Sequence, residues 1–147
     1  MLDDYLKMIL KAPVYDIARE TPLEAAPELS RRLDNAVWIK REDMQPVFSY
    51  KIRGAYNLMV RLSQAEREKG VITASAGNHA QGVARAAKEL GIDAVIVMPS
   101  DAPRIKLERT RGYGASVITY DRETEDRDAI AGDLCSESGA TFVHPYN

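Results

Sequence analysis

From Lys51 onward the apolar positions follow two alternating patterns, short continuous runs and longer stretches at helical spacing. Ile52, Ala55, Met59 and Leu62 form one helical stripe with Tyr56 beside it, while Arg53, Asn57 and Arg61 lie off it. Ser63 with Glu66 reads as a capping box opening a second short helix that Gly70 ends. Continuous apolar runs then predict strands at 71–74, 94–98, 116–120 and 141–143. Helices are predicted between them at 78–90, 104–111 and 124–138, closed by Gly91, Gly112 and Gly139. Strands that are apolar throughout belong in a sheet covered on both faces. Joined by right-handed crossovers, such repeats give an α/β fold, an open three-layer parallel sheet of about four strands.

The first 50 residues are less regular and read as an N-terminal arm, with residues 51–147 as the α/β unit. Leu2, Leu6, Ile9 and Leu10 have helical spacing, and Pro13 stops that helix. Residues 21–23 read as a turn or extended piece. Pro27 with Leu29 and Leu33 predicts a short helix ending at Asp34-Asn35, residues 36–40 a strand with Trp38 in the core, and residues 41–47 a loop.

Composition narrows the function classes. At 147 residues, 45% apolar and 29% charged, the chain has the makeup of one soluble globular domain. Twenty basic and 22 acidic residues are interspersed, so no basic stripe invites nucleic acid or a lipid surface. The longest apolar run, 94–98, is far too short to span a bilayer, and the N-terminus is acidic where a secretion signal is basic. A lone cysteine, Cys135, suits a reducing cytoplasm and reads as a small buried apolar residue. Two histidines far apart in sequence, His79 and His144, do not suggest a metal site; His144 reads as packing.

Two stretches carry chemistry. Ser49-Tyr50-Lys51-Ile52-Arg53-Gly54-Ala55 sets a lysine between an aromatic ring and an apolar helical stripe. That is either a solvated helix-start charge or an amine kept nucleophilic in a dry pocket. Ser75-Ala76-Gly77-Asn78-His79-Ala80-Gln81-Gly82 follows a strand and opens a helix, where open α/β sheets bind ligands. Its small residues let backbone approach a ligand, and helix-start N–H groups suit a carboxylate or a phosphate. Ser75 or Asn78 acting only as a helix cap is the plainer alternative. The three-glycine dinucleotide spacing and the glycine-lysine-serine/threonine phosphate motif are both missing.

Together these two stretches resemble the threonine dehydratase family of fold-type II pyridoxal-phosphate enzymes, its biosynthetic branch in particular. Ala12-Pro13-Val14-Tyr15, Thr21-Pro22-Leu23, Lys40-Arg41-Glu42-Asp43 and Val97-Met98-Pro99 support the likeness, which runs through the whole chain. It implies pyridoxal 5'-phosphate as cofactor and conversion of L-threonine to 2-oxobutanoate and ammonia, in a cytoplasmic homo-oligomer. Lys51 matches the lysine that bonds to the cofactor and later serves as base at the substrate Cα. Tyr50 stands where the family more often has phenylalanine against the cofactor. Ser75, Ala76, Gly77, Asn78 and His79 match the substrate-carboxylate loop, with Asn78 facing the cofactor ring oxygen and His79 orienting the loop. The family's glycine-rich phosphate loop has no counterpart in the sequence, and residues 1–50 match an arm that packs on a large domain outside it. Apolar faces of that arm are therefore expected to be uncovered. L-serine dehydration, serine/threonine racemisation, and a non-catalytic folded module are the alternatives.

Overall fold

A computed structural model describes residues 2–146. The arm opens with helix α1 (Leu2–Leu10) and a 3-10 turn at Val14–Asp16, and a second 3-10 turn, Glu42–Met44, lies within the stretch read as loop. Strand β1 (Leu23–Ala25), helix α2 (Pro27–Leu33) and strand β2 (Trp38–Lys40) follow, β1 and β2 pairing antiparallel. Pro27 at the helix start and Asp34 in the left-handed conformation at its end bound α2 as the sequence predicts. Strand β1 was not predicted; three residues pair only because β2 lies alongside.

The α/β part begins with α3 (Lys51–Met59) and α4 (Gln64–Lys69), the latter opened by the Ser63–Glu66 capping box. Then come β3 (Val71–Ala74), α5 (Asn78–Leu90), β4 (Ala94–Pro99), α6 (Arg104–Gly112), β5 (Ser116–Tyr120), α7 (Arg127–Ser138) and β6 (Thr141–Phe142). The four strands β3 to β6 form one parallel sheet in the order β5-β4-β3-β6. Gly70 is required at the entry to β3: its φ is +82°, and a Cβ there would sit 2.8 Å from the Asp93 carbonyl oxygen.

Alternation along β3 and β4 splits the core in two. Val71, Ala94, Ile96 and Met98 pack with Ile52, Ala55, Tyr56 and Met59 of α3 and Ala80, Val83, Ala84 and Ala87 of α5. On the other face Ile72, Ala74 and Val97 pack with Tyr120 of β5 and Ala131 of α7. All four residues of β3 are buried, as a central strand covered on both faces requires.

Four expectations are corrected. Trp38 lies in a strand but is 60% exposed, because the β1–β2 ribbon has no described layer over that face. Helix α7 starts at Arg127 rather than residue 124, since Asp126 caps it by accepting from the Asp128 and Ala129 amides. Cys135 is half-buried rather than buried, and burial raises its thiol pKa. Helix α6 runs through Gly112 and ends at Tyr113, with Gly114 at φ +94° making the turn. Tyr5, Leu6, Met8, Ile9 and Leu10 of α1 and Leu23 and Ile39 of the ribbon are exposed, as anticipated for the arm.

A charge cluster ties the arm to the lysine helix. Glu42 accepts from Arg53 Nε at 2.8 Å and Nη2 at 2.9 Å, from Thr21 Oγ1 at 2.7 Å and from Gln45 Nε2 at 3.1 Å. Buried Gln45 also grips the Arg19 backbone through both its N–H and its carbonyl, each at 2.9 Å. Nearby, Ile17, Ala18 and Val47 join the core built by α3 and α5. The Arg53 hydrogen bond, helped by Thr21 and Gln45 and opposed by burial, lowers the Glu42 pKa from 4.5 to about 2.

Glu42→Ala is expected to lower the unfolding free energy at pH 7 by about 2 kcal/mol, since charge-assisted hydrogen bonds are lost. Because the folded pKa is depressed, the Glu42 contribution is complete above pH 4.5 and is lost as pH falls towards about 2. Denaturant unfolding of both proteins from pH 7 down to pH 3 should therefore show the gap narrowing in acid.

Candidate active site

The sheet order places a switch point between β3 and β6: the chain proceeds outward from β3 through β4 to β5, then returns to β3's other edge. Crevices at the carboxyl ends of such strands are where open α/β folds take ligands. Here the crevice is a cavity of about 300 Å³ lined by Tyr50, Lys51, Gly54, Ala55, Leu58 and His79, and closed by residues 143–146.

Lys51 is the first residue of α3, and its half-buried amine reaches across to the carboxyl end of β6. There Nζ donates to the Pro145 carbonyl at 2.7 Å and lies 5.7 Å from the ring centroids of both Tyr50 and Tyr146. Aromatic faces attract the cation without neutralising it. Tyr50 is exposed, so its hydroxyl needs no buried partner.

His79 holds the opposite wall. It is 6% exposed, and its Nε2 lies 3.0 Å from the Val143 carbonyl oxygen. A carbonyl only accepts, so Nε2 carries the proton and Nδ1 is left as an acceptor. Thr73 Oγ1 donates to the same carbonyl at 2.7 Å, and the Val143 amide donates to the Ile72 carbonyl at 2.8 Å. Strand β3 and helix α5 thus fix the point at which the chain leaves β6. Burial lowers the His79 pKa below 6.5; the Val143 bond opposes this, and the charges of Lys51 and His144 add to it.

The loop between β3 and α5 is built as an open helix head. Ser75 donates its amide to the Val97 carbonyl at 3.0 Å, and its Oγ accepts from the Gly77 amide at 3.2 Å. Gly77 is the N-cap, and no side chain caps α5. Neither Ser75 nor Asn78 therefore acts as the helix cap, and the positive end of a 13-residue helix is left for an anion.

Of the sequence-predicted residues, the structure brings Lys51, Tyr50 and His79 around one cavity. Ser75, Ala76, Gly77 and Asn78 sit at the head of α5 outside its lining, with Asn78 exposed. Gly54, Ala55 and Leu58 were not singled out as site residues, though they stand three, four and seven positions after Lys51 and so share its helix face. Val143, His144, Pro145 and Tyr146 were also missed as a wall; His144 packs edge-on against the rings of Phe142 and Tyr146, as expected, and also lines the cavity.

The donor set fits one half of pyridoxal phosphate. An amine beside an aromatic ring suits its aldehyde and pyridine ring. Ser49 Oγ and Gln81 Oε1, both buried without a hydrogen-bond partner, leave polar capacity next to the lysine and the loop. A glycine-rich cradle for its phosphate is not found among the described residues.

Comparison with known proteins places the chain in a family. The sequence profile of the family described as "Pyridoxal-phosphate dependent enzyme" matches residues 14–147. Threonine dehydratase 1 biosynthetic, chloroplastic, of Solanum lycopersicum is 52% identical over 144 residues, covering 98% of this chain and 24% of that protein. The solved structure of processed threonine deaminase isoform 2 from Solanum lycopersicum superposes with a TM-score of 0.89 at 49% identity, covering 99% of this chain and 40% of that one. Maize serine racemase superposes equally well, TM-score 0.89, at 34% identity over 99% of this chain and 44% of that one. The chain thus spans about a quarter of the length of the curated relatives it matches.

His79 should be neutral at pH 7 and titrate below 6.5, which side-chain NMR across pH 4 to 8 reads directly. Because that pKa is depressed for a base, the protein loses stability as pH falls below 6.5, and His79→Phe should remove that part of the loss. A His79 resonance titrating above 6.5 would contradict the burial and hydrogen bonding described.

Proposed function

The chain belongs to the pyridoxal-phosphate dependent enzyme family, and we propose that it is the lysine-bearing part of an L-threonine ammonia-lyase. Its reaction is the conversion of L-threonine to 2-oxobutanoate and ammonia, serving isoleucine biosynthesis. The observation that carries the reading is the amine of Lys51 in a cavity at the switch point, one strand away from an uncapped helix head.

Bound pyridoxal phosphate supplies an electron sink for negative charge developing at the substrate Cα. The remaining work belongs to this chain's side chains. Lys51 would hold the cofactor through its amine and, once displaced by the substrate amine, take the proton from Cα. Tyr50 would present its ring to the cofactor. The amides of Ala76, Asn78 and His79, with the Ser75 hydroxyl and the Asn78 side chain, would bind and orient the substrate carboxylate, the Ser75 and Gly77 amides being already engaged. Neutral His79 adds no charge against that loop and keeps the cavity wall in place through Val143. Leu58, Ala55 and Val143 give the cavity an apolar side against which the reacting carbon would lie.

Serine chemistry is the second reading, favoured by the superposition on maize serine racemase. Threonine is placed first because the threonine deaminase structure matches equally well at higher identity. Comparing 2-oxobutanoate from L-threonine with pyruvate and D-serine from L-serine ranks the two.

Incubation with pyridoxal phosphate, borohydride reduction and peptide mapping should fix the cofactor to Lys51. Failure to label Lys51 in the folded chain would favour a non-catalytic module. Lys51→Ala should reduce turnover roughly 10³-fold or more with an unchanged thermal midpoint, as expected for a residue whose role is chemical. Ser75→Asp should raise the apparent KM more than it lowers kcat, because a second negative charge faces the carboxylate; an unchanged KM would remove Ser75 from the carboxylate site.

A further inference from the structure

We infer that Gly82 is a positioning residue for Lys51, coupling the loop at the head of α5 to the lysine through direct backbone contact; the inference takes Lys51 as the working amine, as proposed above. A Cβ at residue 82 would stand 3.1 Å from both the carbonyl carbon and oxygen of Lys51 and 3.3 Å from the Ile52 nitrogen. Those three atoms are one peptide group. A backbone peptide cannot swing aside as the end of a side chain can, so any side chain at 82 displaces the root of Lys51.

Neither a positive φ nor helix propensity accounts for a glycine at this position. Gly70, Gly91, Gly114 and Gly139 have positive φ, whereas Gly82 lies inside a helix and is not among the positive-φ glycines. In a helix interior glycine is a poorer choice than alanine, and α5 is otherwise rich in alanine. A Cβ at Gly54, Gly112 or Gly132 would meet nothing within 4 Å. Among the helical glycines described, Gly82 is therefore the one whose missing side chain is occupied by a neighbouring backbone.

Its place on α5 gives the contact a function. Asn78 and His79 are four and three positions before Gly82, so all three share one face of the helix. His79 lines the Lys51 cavity from that face. The turn that presents the loop and the turn that touches the lysine peptide are thus consecutive turns of one rigid element. Displacement of the loop on binding a carboxylate reaches the root of Lys51 without a side-chain relay.

The test compares Gly82→Ala with Gly132→Ala, a control in open space on α7. Site-resolved labelling of lysines by a small amine-reactive reagent across pH 7 to 10 reads the Lys51 environment without cofactor. Gly82→Ala should move the Lys51 labelling rate about threefold or more while other lysines stay unchanged. Turnover should fall about tenfold or more with KM changed less than about twofold. Gly132→Ala should match the wild type in each. A drop in thermal midpoint alone, with Lys51 labelling unmoved, would overturn the inference as a purely structural effect. Should Gly82→Ala fail to fold, a nuclear Overhauser contact between Gly82 Hα and the Ile52 amide proton in the wild type is expected, and its absence overturns the contact. Cofactor fixation on wild-type Lys51 separately decides the cofactor reading; if it fails, the labelling comparison still decides whether Gly82 positions the lysine.

Discussion

Two helices packed on one face of β3 until their backbones touch are the constraint on which the site depends. Helix α5 meets α3 at Gly82, which lies against the Lys51–Ile52 peptide, and the core around that contact takes small residues from α5 and the larger Ile52, Tyr56 and Met59 from α3. Small residues on one helix and large ones on the other fill the seam without strain. The amine of Lys51 is aimed by this seam rather than by a salt bridge, since its hydrogen bond is to a neutral carbonyl. The site is thereby left with an amine whose partner can be exchanged without separating opposite charges.

A second, polar layer holds the approach to α3. Glu42 gathers Thr21, Gln45 and Arg53, which come from three separate stretches of chain, and Gln45 closes on the Arg19 backbone. A half-buried carboxylate with that many donors is stable only if all of them remain in place. It therefore fixes the path into Phe48, which takes a left-handed φ of +58° just before the lysine motif. A non-glycine residue in that conformation is strained, and the surrounding contacts hold it there: the Phe48 amide on the Gln45 carbonyl and its ring under Arg109 at 5.0 Å.

Much of this was legible in the sequence, for reasons that differ by element. The Ser63–Glu66 box, the αL residues Gly91 and Gly139 and the α5 helix are local signals, and local signals carry over directly. The order of the strands was not legible, because no pattern within 141–143 says that β6 joins β3 rather than extending beyond β5. The wall formed by Val143 to Tyr146 was missed for that reason, and with it half of the Lys51 cavity. Trp38 shows the opposite limit: an apolar residue in a strand reports a face suited to cover, not that a cover is present. At the head of α5, Ser75 and Asn78 both have the chemistry of caps, yet Gly77 takes the position.

The shared Val143 carbonyl has a consequence for the order of folding. Its donors Thr73 and His79 stand 70 and 64 residues earlier in the chain, and Pro145 is 94 residues from the lysine it engages. Contacts of such separation form late, after the loops between them have been closed. Helix α3, the β3–α5–β4 unit and β5 can all be in place while the chamber beside Lys51 is still open on one side. Only the docking of β6, two residues long, completes it. A nascent or partly unravelled molecule thus has the lysine but not the enclosure around it.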